Sequence, residues 1–365
     1  MHSETIFLAA QLEQGGVADH VRRLAEAINS RGGCACAVDR RAAACAAYTE
    51  HKRLLGFHFV SYGWARRGII RSSDIREIRK IILGHHLAVY FHELWIGEAR
   101  GEPLKNRLIG ALQRRAIRRL LLALRPAHVL TSNPVYAAML ADLGCPAEVL
   151  PLPGNLPPAD ADARAAARAW LAARSAPATE ARAALFGTIH PEWQGEEAVA
   201  SWCADAARRG LAPRLLALGR LGPAAPARLA ALRAAAPALL IDETGELPAP
   251  LLAGLLAECE LAFATSPWAL IGKSGSAAAF LEAGLPTLVT RDDWRRRRGV
   301  TPLPEPRPGL RLWPAGTRDF DWSAFLATRP PAASALGRVA DFWIQLVRPR
   351  TATASDMPGR PPIFQ

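Results

Sequence analysis

An α/β protein of two doubly wound, Rossmann-like parallel-sheet domains is what this sequence predicts, and three observations predict it. The chain has 365 residues, enough for two domains of about 150–200 residues, each with its own core. Short apolar runs suited to buried strands alternate with amphipathic helical stretches in both halves. Small-residue turns stand where strand gives way to helix, at Gly15-Gly16 and at Ser274-Gly275-Ser276. Strand, turn and helix repeated in this way imply right-handed crossovers and sheets covered on both faces.

The first half opens with a strand over 5–10, the Gly15-Gly16 turn, and a helix over 17–31 with Val17, Val21, Leu24 and Ile28 on one stripe. Asp19 and His20 stand at the start of that helix, where either can face a ligand. Strands are expected over 34–38 and 56–62, then a helix over 74–83. A buried strand over 87–91 runs into His92-Glu93. A neutral imidazole can accept or donate a hydrogen bond, and a carboxylate can support a cationic transition state or remove a proton. The helix expected over 103–124 turns Leu108, Leu112, Ile117, Leu120 and Leu124 mainly inward and its arginines outward. A strand over 128–132 and a helix from Pro134 to Gly144 complete this half. The Ala- and Pro-rich stretch after Asn155 reads as a hinge with one helix over 161–174.

In the second half a strand over 183–189 ends in a loop carrying Thr188, His190 and Glu192, and an imidazole there is only partly charged at neutral pH. A strand over 215–219 leads to Arg220, and a strand over 239–242 leads to a loop with Gly245 and Glu246. After a helix over 250–259 comes the stretch on which the functional reading rests. A strand over 261–264 precedes Lys273 and Ser274-Gly275-Ser276, which open a helix that Gly284 closes, and Pro286 begins the next strand. A helix start leaves backbone N–H groups unpaired and carries positive partial charge, so it accepts a phosphate, with Lys273 adding a full charge. Glu282 lies eight residues after Ser274, roughly 12 Å along the helix at its standard rise. One helix can therefore hold a diphosphate at its start and a sugar hydroxyl further on. Arg295, Arg296, Arg297 and Arg298 form a run that reads either as a solvated loop or as the lining of a groove for an anionic acceptor. A helix over 334–347 carries Phe342, Trp343 and Leu346 on one side, and 351–365 has the composition of a poorly ordered tail.

The stretch 262–290 resembles the donor site of GT-B glycosyltransferases, most of all glycosyltransferase family four. Glu282 and Gly284-Leu285-Pro286 match the family's pattern, which implies that Glu282 binds the nucleotide's ribose. The family usually has a second glutamate where this chain has Ser274, a departure that bears on the donor sugar and the stereochemical outcome. Lys273-Ser274-Gly275-Ser276 is also similar to the basic Ser-Gly-Ala turn of the peptidoglycan GlcNAc transferases, which share the fold. Gly15 and Gly16 resemble the family's N-terminal glycine turn, His92-Glu93 its histidine–acid pair beneath the donor sugar, and 244–247 its base-recognising turn. Where the family places a basic pair after the first strand of the second domain, this chain has Thr188 and His190, so phosphate charge falls to Lys273 and Arg220. The resemblance thus implies His92, Glu93 and Lys273 as catalytic residues. It implies Gly15, Gly16, Thr188, His190, Arg220, Gly245, Glu246, Ser274, Gly275, Ser276 and Glu282 as donor-binding residues. It further implies no metal, no cofactor beyond a nucleotide diphosphate sugar such as a UDP- or GDP-sugar, retention of configuration, and two domains facing across a cleft. The boundaries expected are 1–156 for the acceptor domain, 157–180 for the linker and 181–332 for the donor domain. A helix over 333–348 would cross back to the first domain, followed by a tail over 349–365.

Composition narrows the partners. A net charge of +12 favours anionic ones such as nucleotides or phospholipid headgroups, although an Arg- and Ala-rich chain of the kind a GC-rich bacterial genome encodes produces the same figure. Nucleic acid is not expected from charge alone. The basic helix over 103–124 suggests an anionic or lipid-linked acceptor and peripheral contact with a membrane. Six cysteines show no CxxC pair and no zinc-type spacing with histidine, so they read as reduced core residues. No secretion signal and no membrane span are read in the sequence, so the expected compartment is the cytoplasm. Two other functions fit the same fold: a sugar-nucleotide epimerase, and a non-catalytic scaffold that binds nucleotide sugar or a polyanion.

Overall fold

The computed structural model describes residues 5–12, 16–39, 54–82, 86–174, 179–316 and 319–347. The chain forms two compact units. Unit 1 comprises 1–151, 295–302 and 336–365; unit 2 comprises 152–294 and 303–335. Gly15 and the 351–365 tail lie outside the described residues.

Unit 1 is built on a six-stranded parallel sheet in the order β2-β1-β3-β4-β5-β6. The strands are β1 (Ile6–Ala10), β2 (Ala35–Asp39), β3 (Leu54–Phe59), β4 (His86–Phe91), β5 (His128–Thr131) and β6 (Glu148–Val149). Every residue of β1 and β3 is buried, as expected of central parallel strands covered on both faces. The chain order reverses between β1 and β3, so the carboxyl ends of these strands open at a switch point. Helix α1 (Gly16–Ser30) buries Ala18, His20, Val21, Leu24, Ala25 and Ile28. It packs against the helix Leu336–Val347, whose Trp343 is fully buried. Gly56 makes room for that indole, since a Cβ there would lie 2.7 Å from the Trp343 ring.

Two expectations for this half need correction. The strand over 56–62 stops at Phe59, and Tyr62 belongs to a short helix, α2 (Ser61–Trp64), followed by α3 (Ser72–Ile81). In α4 (Leu104–Leu124) the buried face is Gly110, Gln113, Ala116, Ile117, Leu120, Leu121 and Leu124, while Leu108 and Leu112 are 60% and 53% exposed. The reason is backbone contact. At Gly110 a Cβ would stand 1.9 Å from the Ile96 carbonyl oxygen, and buried Gln113 accepts from Ile96 N and donates to Arg67 O. Those contacts fix the helix's rotation and turn the Leu104-Leu108-Leu112 stripe outward. Helix α5 (Pro134–Ala141) is capped by Asn133, whose side chain accepts from Tyr136 N.

Unit 2 carries a second parallel sheet in the order β12-β11-β10-β7-β8-β9. Its strands are β7 (Glu180–Phe186), β8 (Ala212–Leu218), β9 (Leu240–Gly245), β10 (Leu261–Ala264), β11 (Thr287–Val289) and β12 (Leu310–Leu312). The helices are α6 (Ala161–Ala172), α7 (Glu196–Arg208), α8 (Ala225–Ala235), α9 (Ala249–Ala257), α10 (Gly275–Glu282) and α11 (Trp322–Ala327). The switch point falls between β7 and β10. Helix α6 lies against α9, close enough that a Cβ on Gly254 would be 2.1 Å from the Ala163 carbonyl oxygen. The loop expected at 244–247 is in part strand: β9 continues to Gly245, whose carbonyl accepts from Gly219 N at 3.1 Å.

Candidate functional sites

In a parallel sheet every strand ends on the same edge, and ligands bind outside those carboxyl ends at the switch point. The β7 loop and the segment after β10 meet there in unit 2. Thr265 donates through Oγ1 to the Thr188 carbonyl at 2.9 Å, and Trp268 N donates to the Arg291 carbonyl at 2.7 Å. The second bond ties the end of β11 to a 3₁₀ turn, Trp268–Lys273. Helix α10 follows, with Ser274 as its cap: Oγ accepts from Ala277 N at 3.3 Å and lies 3.1 Å from Ser276 Oγ. A Cβ added at Gly275 would meet nothing within 4 Å, so the helix start is open to an approaching anion.

Thr188 and His190 are both exposed at this edge. Partial loss of solvent on the protein side of the ring lowers the His190 pKa, and the charges of Arg291 and Lys273 lower it further against the opposing pull of Glu192. His190 is therefore neutral near pH 7 and offers a hydrogen bond rather than a charge. The Arg291 backbone is tied by the Trp268 bond to the turn that ends in Lys273. Arg291 escaped the sequence reading. It is 8% exposed, with Nη2 2.7 Å from Asp293 Oδ2 and Nη1 3.8 Å from Glu192 Oε2. Its place immediately beyond β11, ahead of the arginine run, was the available signal. Arg220 and Glu246 come together as an exposed ion pair beyond β8 and β9, beside Gly245, whose φ is +62°. At the far end of α10, half-buried Glu282 accepts from Ala335 N through Oε1 at 2.8 Å. A Cβ on Gly154 would sit 2.8 Å from its Oε2. Glu282 lines a cavity together with Leu156, Arg164, Ala279 and Ser334.

In unit 1 the carboxyl ends of β3 and β4 and the first turns of α1 converge on three histidines. His58 Nδ1 lies 2.9 Å from His92 Nε2, and the His20 ring is centred 5.4 Å from His58 and 5.2 Å from His92. Tyr90 and Trp343 stack on His58 at 5.4 and 5.7 Å. Burial lowers all three imidazole pKa values: His20 to about 4, helped by Arg23; His58 and His92 well below the usual value, helped by their histidine neighbours. His92 is half-buried and Glu93 exposed. Gly16 opens α1, and a Cβ added there would meet nothing within 4 Å.

A second feature of unit 1 is a basic groove lined by Arg114, Arg115, Arg118, Arg119 and Arg298. The arginine run is thus not a simple solvated loop. Arg296 is 3% exposed and paired with Asp142, and Arg297 N donates to Glu98 O at 2.7 Å, whereas Arg298 lines the groove. Among the described residues no helix is long and apolar enough to cross a membrane.

These two doubly wound units define a chain of the GT-B fold class. Solved structures of similar fold include glycosyltransferases. The catalytic domain of starch synthase IV from Arabidopsis thaliana, bound to ADP and acarbose, matches with a TM-score of 0.55 at 9% identity, covering 95% of this chain and 99% of that one. An alpha-glucosyltransferase in complex with UDP and a 13-mer DNA containing a HMU base matches with a TM-score of 0.50 at 11% identity, covering 95% of each. A glycosyltransferase from Rickettsia africae matches at 0.48 and 9% identity over 80% of each chain, too distant to add to the argument. At such identities the likeness shows the fold alone. No family model matches the sequence, and no curated protein sequence matches it.

Proposed function

We propose that this protein is a glycosyltransferase that takes a sugar from a nucleotide diphosphate donor held by unit 2 and passes it to an acceptor held by unit 1. The observation that carries the reading is the open start of α10 at the switch point, directly after Lys273, with buried Arg291 bonded through its carbonyl to the preceding turn. As the glycosidic bond to the donor breaks, negative charge builds on the diphosphate. Lys273, the N–H groups of Gly275 and Ser276, and the charge of Arg291 are assigned to meet that charge without a metal. Thr188 and neutral His190 add hydrogen bonds. Glu282 binds the ribose through Oε2, and Gly245 and Glu246 lie where the base is read. The starch synthase IV and alpha-glucosyltransferase structures hold ADP and UDP respectively, and the same class of donor is assigned to this chain. Membership of family four and retention of configuration belong to this proposal, with His92 and Glu93 facing the sugar.

The acceptor is assigned an anionic, lipid-linked character. Helix α4 presents Leu104, Leu108 and Leu112, 69%, 60% and 53% exposed, on one stripe beside the arginine groove. That pairing suits the interface of an anionic membrane. The test is to incubate the protein with UDP-, GDP- and ADP-sugars, with and without lipid extracts, and follow nucleoside diphosphate release. Acceptor-dependent release supports transfer. Interconversion of the donor without glycoside formation identifies an epimerase, and binding with no turnover identifies a scaffold.

A further inference from the structure

We infer that His20, His58 and His92 form a binding site in unit 1 for one divalent transition-metal ion of the zinc type. Each histidine offers a ring nitrogen, and the three atoms lie within 4.8 Å of one another. Four-coordinate zinc with imidazole ligands at about 2.0–2.1 Å needs nitrogens about 3.3 Å apart. His58 Nδ1 and His92 Nε2, at 2.9 Å, are already closer than that. Drawing in His20 completes the set, and half-buried His92 at the strand end can shift to accommodate an ion.

The surroundings ask for such an ion. His20 Nε2 is buried with no hydrogen-bond partner, and a buried polar atom left in this way costs free energy unless something satisfies it. Three imidazoles packed together cannot all be protonated, and neutral imidazole is the form that binds metal. An all-nitrogen set selects zinc, cobalt, nickel or copper over magnesium or calcium, which take oxygen ligands. Three protein ligands leave a fourth position open, as in catalytic rather than structural zinc sites. Because the ligands are uncharged, the ion keeps its full positive charge and draws water or an anion to that position. The rings are also held from behind: Tyr90 and Trp343 stack on His58, which limits its motion. This inference does not rest on glycosyl transfer, and the diphosphate seat is built from unit 2 alone.

The experiment uses the untagged full-length chain, stripped with EDTA and then exposed to Zn²⁺ or Co²⁺. Metal content after gel filtration is read by mass spectrometry, and the Co²⁺ form by its visible spectrum. The expected result is one ion per chain, with the absorption of a four- or five-coordinate nitrogen-ligated cobalt. His20→Gln and His58→Gln should each weaken binding by at least the roughly 10–100-fold that loss of a mere supporting group costs, and His128→Gln should bind as the wild type does. Wild-type protein that retains no ion, or His58→Gln protein that retains as much as the wild type, overturns the assignment. The wild-type titration decides the matter even if a variant fails to fold.

Discussion

Replacing Glu282 separates two tasks that the geometry gives to one side chain. Its Oε1 accepts from Ala335 N at 2.8 Å, which fastens the segment after α11 to the end of α10. Losing a hydrogen bond to a charged acceptor costs about 1.5–3 kcal/mol, so Glu282→Ala should lower the unfolding midpoint by roughly 5 °C for a domain of this size. Oε2 is the atom proposed to hold the ribose, and its removal should weaken nucleoside diphosphate binding by at least about tenfold. Glu282→Gln distinguishes the two: the amide oxygen still accepts from Ala335 N, so most of the stability returns, while the charge that favours the ribose hydroxyls is gone and affinity stays low. Thermal unfolding and isothermal titration calorimetry with UDP, GDP and ADP read both quantities on the same samples. A Glu282→Ala protein that melts early yet binds nucleotide as tightly as the wild type would refute the ribose role and leave Glu282 a clamp. One that matches the wild type in both would refute the whole account of this side chain.

Other consequences follow from unit 1. Gly56→Ala places a methyl 2.7 Å from the Trp343 ring and 2.9 Å from Leu8 Cδ2, and overpacking of this kind costs about 1–3 kcal/mol; urea midpoints equal to wild type would contradict the packing described. In EDTA, stability should fall as pH drops from the ordinary histidine value of 6.5 toward about 4. The unfolded chain takes up protons there that buried His20 refuses. His20 alone accounts for about 3 kcal/mol across this window, the stability being fully present above it. A flat profile between pH 7 and 4.5 would show that the ring is not buried neutral. Leu108→Ser with Leu112→Ser should reduce sedimentation with vesicles containing anionic phospholipid several-fold, and unaltered sedimentation would remove the membrane from the proposal.

The reading of the sequence succeeded where local chemistry decides structure. The stretch from Leu261 to Pro286 carries a short apolar run, a serine cap, a closing glycine and a proline, and the structure has strand, turn, helix and strand there in that order. It failed at α4 because leucine and arginine surround that helix on all sides, so periodicity could not choose a face. Gly110 and Gln113 choose it, through contacts with a segment that sequence spacing does not reveal. The histidine triad was hidden for a related reason. His58 and His92 are 34 positions apart, and only the order of β1, β3 and β4 in the sheet brings them to one edge. Arg291 was masked by the arginine run at 295–298, although it is buried just beyond β11 whereas Arg298 is exposed.

The seat of the diphosphate is the claim on which the functional account stands. A crystal of the protein soaked with the nucleotide sugar that stabilises it most tests that claim directly. Phosphate oxygens should lie within hydrogen-bonding distance of Gly275 N and Ser276 N, with Lys273 and Arg291 alongside. Nucleotide density at any other place, with the start of Gly275–Glu282 left to solvent, would contradict it.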